Sequence, residues 1–273
     1  MKLQKPLFFI LILFVLLLVF LLNITFAGSI PASIMLIIRI AFIMVFLSGW
    51  IVFRRTGNKN FGDLFFILMA VNLAFLVVSF FTTDLWKLDI ETPRGIALAK
   101  MSDSIIIFSV VLMPLFLSGF KLKDIYISRG KLLPGLIIGM LSFLLMGFLA
   151  IKNPEQPIGI EFIKTNLVWI LIFVLFNAFM EELIFRGIFL KPLNQFFKPA
   201  WAVVLTAIVF GAAHLQVTYT PDVLIFAIIT LVLGLIWGFL IQYTRSLLAS
   251  VLFHAGADLV IILPIYVTYG VGV

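Results

Sequence analysis

Runs of roughly twenty apolar residues recur along almost the whole chain, and that is the length an α-helix needs to cross about 30 Å of hydrocarbon. They lie at about Leu7 to Leu22, Ile34 to Phe53, Asp63 to Phe81, Ser104 to Phe120, Leu133 to Ile151, Asn166 to Leu190, Ala200 to Leu215, Asp222 to Tyr243 and Ser246 to Tyr266. Within a bilayer every backbone N–H and C=O must be bonded inside its own segment, so runs of this kind fold as helices. The expectation is an all-α, polytopic transmembrane helix bundle of about nine spans. Composition agrees, with 64% hydrophobic and 11% charged residues, against roughly 25% charged in soluble domains.

The formal charge of +7 could suggest nucleic acid, but the basic residues form short clusters between apolar runs, where bilayer orientation accounts for them. Membrane lipids are the expected partners, and nucleic acid is not. With the amino terminus cytoplasmic, inside segments collect Lys2, Lys5, Arg54, Arg55, Lys59, Lys121, Lys123, Arg129, Lys131, Lys191, Lys198 and Arg245. Outside segments then hold only Lys87, Arg94, Lys100, Lys152 and Lys164, the asymmetry expected of that orientation. The first run precedes a small-residue stretch, Thr25-Phe26-Ala27, but exceeds the ~7–15 residues of a signal-peptide core, so it is read as a retained span. Arg39 and Arg186 are left as cations inside apolar runs, and Arg39 is given no role.

Pro, Gly and charge mark loops at Thr82 to Asp103 and Lys152 to Lys164. The second loop divides the chain into accessory transmembrane helices (1–165), a core (166–265) and a tail (266–273). The accessory spans hold few buried ionisable groups. The core holds Glu181, Glu182, Arg186, His214, His254 and Asp258, and an ionisable group inside a membrane is expensive enough to mark chemistry or transport.

Asn177-Ala178-Phe179-Met180-Glu181-Glu182-Leu183-Ile184-Phe185-Arg186-Gly187 is the densest of these interruptions. On a helix Glu182 and Arg186 are i and i+4 and can pair, while Glu181 is rotated about 100° away. That leaves Glu181 without a local partner, as suits a general base or acid. The bland alternative is a structural ion pair between helices. Further along, Phe210-Gly211-Ala212-Ala213-His214 and His254-Ala255-Gly256-Ala257-Asp258 place each histidine among small residues that admit a neighbouring helix. At 1.5 Å per residue, Glu181 and Glu182 lie about 12–14 Å from the cytoplasmic end, His254 about 12 Å, Asp258 about 18 Å and His214 about 21 Å. Such depths allow one shared level.

Together, Glu-Glu-x-x-x-Arg, Phe-x-x-x-His and His-x-x-x-Asp on successive apolar helices resemble the CAAX-prenyl-endopeptidase and bacteriocin-processing (CPBP) family of intramembrane proteases, over about Asn166 to Pro264. The resemblance implies hydrolysis of a peptide bond in a membrane-associated or lipidated peptide, in a bacterial plasma membrane. It gives Glu181 and His214 the activation of water, His254 and Asp258 the support of the oxyanion, and Glu182 and Arg186 the ordering of the site. Where some members carry Asn, this chain has Asp258, which donates a hydrogen bond only when protonated and otherwise orients His254 or binds a cation.

The cofactor expectation is that none is required. Two histidines and carboxylates could nevertheless ligate Zn²⁺ through Glu181, His214 and His254. No His-Glu-x-x-His is present, and with no cysteine there is neither thiol nucleophile nor Cys-ligated zinc. Two other classes remain in view. One is a non-catalytic membrane scaffold or bacteriocin-immunity protein that keeps the polar cluster for packing. The other is a proton-coupled transporter, disfavoured by the absence of an inverted repeat.

Overall fold

The computed structural model describes residues 4–81, 83–152, 158–217 and 220–270. Lys2, residues 153–157 of the Lys152 to Lys164 loop and the last three residues of the tail lie outside them. The described residues form helices and connecting turns, with no strand. In chain order the helices are α1 (Gln4–Phe20), which continues as a π turn over Leu21–Thr25, α2 (Ala32–Arg55), α3 (Lys59–Val78), α4 (Thr83–Trp86), α5 (Pro93–Leu117) and α6 (Leu132–Ile151). Then come α7 (Ile160–Glu182) with a π turn over Leu183–Gly187, α8 (Leu190–Leu193), α9 (Pro199–Ala213), α10 (Val223–Thr244) and α11 (Leu248–Gly270). Among the described residues eight helical segments are long and apolar enough to cross a membrane, and the chain is an integral membrane protein.

Three boundaries depart from expectation. The Ala200 to Leu215 run is the shorter apolar helix α9, Pro199–Ala213, below the length of a full span. The Thr82 to Asp103 stretch is not all loop, because α5 starts at Pro93. Thr92 Oγ1 accepts the Gly95 N–H at 3.0 Å, and proline suits the first helical position because it lacks an N–H to leave unbonded. The charges this brings onto α5 are accommodated against aromatic faces of α7, with Arg94 5.6 Å from the Trp169 ring and Lys100 5.8 Å from that of Phe173. Finally, the Asn166 to Leu190 run is not one regular helix: it changes from α to π at Glu182.

The chain divides into two compact units, each assembled from separated stretches. The first is Met1–Leu76 with Ile188–Phe239, the second Val77–Gly187 with Leu240–Val273.

In the first unit α1 packs on α9. Gly211 of α9 lets α10 approach so closely that a Cβ there would stand 2.8 Å from Leu231 Cβ and 2.9 Å from the Ala227 carbonyl oxygen. A buried polar network joins three helical segments. Arg39 Nε donates to Asn23 Oδ1 at 2.9 Å, Asn23 Nδ2 donates to Asn72 Oδ1 at 3.1 Å, and Asn72 Nδ2 donates to the Leu68 carbonyl at 2.8 Å. Arg39 therefore has a defined structural place.

In the second unit α11 lies along α6 and α7, and α5 lies along α7. Its core follows two rows of three- and four-residue spacing. Ile170, Val174 and Ala178 line α7, while Ala255, Leu259, Ile262 and Tyr266 line α11. Continued by the same step, the α7 row reaches Glu182 and Arg186, and the α11 row through Tyr266 and Ile262 reaches Asp258 and His254. The same periodicity that builds the core thus carries the ionisable groups into it. At Gly256 a Cβ would stand 2.7 Å from Phe143 Cα of α6, so this position must stay small for α11 to seat.

The start of α11 is fixed by hydrogen bonds to the segment before α6. Leu247 N donates to the Tyr126 carbonyl at 3.0 Å, Ser246 Oγ to that of Ser128 at 2.7 Å, and Lys131 N to that of Thr244 at 2.7 Å. Tyr126 and Arg245 take left-handed backbone angles, φ 58° and 60°, to make these turns.

Candidate active site in the second unit

Five of the six residues singled out from sequence meet in the second unit. Glu182 and Arg186 are fully buried and form an ion pair across the α-to-π junction. The i, i+4 pairing is as expected, but it is made on a π turn, a geometry that recurs at functional sites. Glu182 Oε1 also lies 2.9 Å from His254 Nδ1, so one carboxylate oxygen holds both a guanidinium and an imidazole. The imidazole ring is thereby fixed with Nε2 directed away from Glu182.

His254 Nε2 lies 3.5 Å from Glu181 Oε2 and 3.5 Å from Asp258 Oδ1. These are close approaches rather than formed hydrogen bonds. A ring protonated at both nitrogens donates from Nδ1 to Glu182 and presents a second donor to the space between Glu181 and Asp258. Glu181 is the more accessible member, its side chain 17% exposed against 0% for Glu182. Through His254 it meets an ionisable group of α11.

Sequence patterning passes over Asn177. Its Nδ2 donates to Asp258 Oδ2 at 2.9 Å, bridging α7 to α11 beside the carboxylates. The signal was present, since Asn177 precedes Glu181 by four residues and so shares its face. Asn177 Oδ1, Glu181 Oε2 and Glu182 Oε2 are buried with no hydrogen-bond partner among the described residues. Three buried acceptors in one place are costly unless a donor meets them.

Three carboxyl groups here face one guanidinium and one imidazole. Charges gathered in a low-dielectric setting are costly unless they offset one another. Carboxyl and imidazole groups in such contact are of the kinds that exchange protons in acid–base catalysis.

His214 belongs to the first unit and is described there by itself. The α-helix ends at Ala213, so His214 is its C-cap rather than an interior residue as the four-residue spacing from Phe210 suggested. That spacing still determines its contacts. Nδ1 lies 2.8 Å from the Phe210 carbonyl oxygen, and the ring packs 4.5 Å from that of Phe210 and 5.8 Å from that of Phe226, centroid to centroid. A carbonyl only accepts, so Nδ1 carries the proton in this bond and the neutral ring has its lone pair on Nε2. Thr25 Oγ1, at the end of the α1 π turn, donates towards the Ala212 and Ala213 carbonyls at 3.5 and 3.4 Å and holds the turn that carries His214.

Among the described residues no group of three or more His, Asp or Glu side chains is gathered to hold a metal ion.

No curated protein and no solved structure matches the chain. Residues 163–260, the stretch that carries all three motifs, match the family model of Rce1-like proteins, type II CAAX prenyl endopeptidases, and are consistent with a CPBP-family intramembrane protease.

Proposed function

We propose that the protein is an intramembrane endopeptidase that hydrolyses a peptide bond of a membrane-associated or lipidated peptide with water activated by Glu181. The observation that carries this reading is the position of Glu181 Oε2, a buried acceptor beside His254 Nε2. Glu181 takes a proton from water as the oxygen attacks the scissile carbonyl. His254, held through Nδ1 by Glu182, donates from Nε2 to the oxyanion that forms. The proton on Glu181 then passes to the leaving amine, so no proton is gained or lost over the cycle. Arg186 holds Glu182 in place, and Asn177 fixes Asp258 at the edge of the cluster. The sequence resemblance assigns His214 a part in water activation.

No step in this scheme is routed through a metal, and cleavage is expected to survive chelation. Loss of activity on chelation, restored by added zinc, would overturn that part. The main test is purified protein in lipid with a membrane-tethered lipidated peptide, cleavage being followed by mass spectrometry. Glu181→Gln and His214→Ala are each expected to lower cleavage at least ~10²-fold, the usual contribution of a general base, while the protein stays folded by circular dichroism. Undiminished cleavage by Glu181→Gln removes the reading.

A further inference from the structure

The first unit contains a groove remote in sequence from the motifs. It lies between the start of α1 and the turn leading into α9 and has a volume of about 470 Å³, within the ~300–1,000 Å³ of built ligand sites. Its wall is aromatic and preformed. The Phe9 ring takes Phe197 edge-on at 5.5 Å and Trp201 edge-on at 5.6 Å, while Ile10 extends the apolar surface. Lys5 and Lys198 complete the lining, and none of the described residues lining the groove is acidic.

These features divide into two chemistries. Trp201 and Ile10, 55% and 60% exposed, face outward from the start of apolar helices and so present a surface to hydrocarbon. The two ammonium groups belong at a membrane–water interface, where lysine keeps its charge in water and its stem against apolar surface. An apolar wall below paired cations complements an amphiphile with an acyl chain and an anionic head. A zwitterionic head would bring a cation of its own towards the lysines.

We propose that this groove is a binding site for one anionic phospholipid, its phosphate between Lys5 and Lys198 and the upper part of an acyl chain along Phe9, Ile10 and Trp201. The site does not depend on proteolysis. Its position at the amino-terminal end of α1 places it, in the orientation expected from loop charges, in the leaflet that carries anionic lipid.

Trp201 supplies the readout. The protein is reconstituted in phosphatidylcholine vesicles in which a lipid brominated on its acyl chains, either phosphatidylglycerol or phosphatidylcholine, is varied over the same series of mole fractions. The Trp201 signal is the difference from Trp201→Phe. Brominated phosphatidylglycerol is expected to quench it at lower mole fraction than brominated phosphatidylcholine. Lys5→Gln and Lys198→Gln are each expected to reduce that preference about five-fold, the effect of one lysine at an anionic surface, with circular dichroism unchanged. Equal quenching by the two lipids, or a preference that survives the double substitution, overturns the proposal. So does quenching that varies with protein density and not with lipid charge, which would give the groove to a second copy of the chain.

Discussion

Each unit buries a guanidinium among apolar helices, yet the two surround it differently. In the first unit Arg39 meets an amide, Asn23, which is bonded in turn to the amide of Asn72. In the second unit Arg186 meets a carboxylate, Glu182, which also holds an imidazole flanked by two further carboxylates. Amides and guanidinium exchange no protons near neutral pH, so the first network can only hold helices together. Carboxylates and imidazole do exchange protons, and the second network can hold helices and move protons as well. A polar residue in a membrane helix therefore says little about chemistry until its partner is known.

Four substitutions sharpen that contrast, in falling order of effect. Arg186→Met leaves Glu182 buried without its cation, and is expected to lower stability by about 3–5 kcal/mol, as for other broken buried ion pairs. Thermal unfolding in lipid would measure it. His254→Gln keeps a hydrogen-bonding side chain but loses the proton-carrying ring, and is expected to lower cleavage roughly 10²-fold with the unfolding temperature little changed. Asn177→Ala removes the bond to Asp258 and is expected to reduce cleavage about ten-fold, in line with the loss of a hydrogen bond to a charged group. Asn72→Leu, in the first unit, is expected to cost about 0.6–1.7 kcal/mol of stability, the range for a membrane helix hydrogen bond. Cleavage per folded molecule should not change, and a ten-fold fall would mean that the two networks are not separable as argued.

Much of this was legible in the sequence because one rule, the four-residue step, governs both packing and site. It placed Glu182 with Arg186 and His254 with Asp258, and apolar run length gave the all-helical membrane fold. The α-to-π change at Glu182 was not legible, because periodicity over a few residues does not separate the two helix types. The early start of α5 was hidden by Arg94 and Lys100, whose charges read as loop until Trp169 and Phe173 of α7 are seen beside them. Asn177 was passed over because an amide in an apolar run resembles helix glue, and its partner Asp258 lies far along the chain. At the end of α9 the Ala212 and Ala213 carbonyls are approached by Thr25, a contact from far along the chain that no local pattern encodes.

The central claim is that Glu181 activates water for direct attack on a peptide bond. Its most direct test is a single turnover on a lipidated peptide in H₂¹⁸O, with the new carboxyl terminus weighed by mass spectrometry. Direct attack predicts one solvent oxygen in that carboxyl group on the first turnover, and the loss of labelled product in Glu181→Gln. Product whose new oxygen comes from the protein, or labelled product formed at the full rate by Glu181→Gln, would contradict the account.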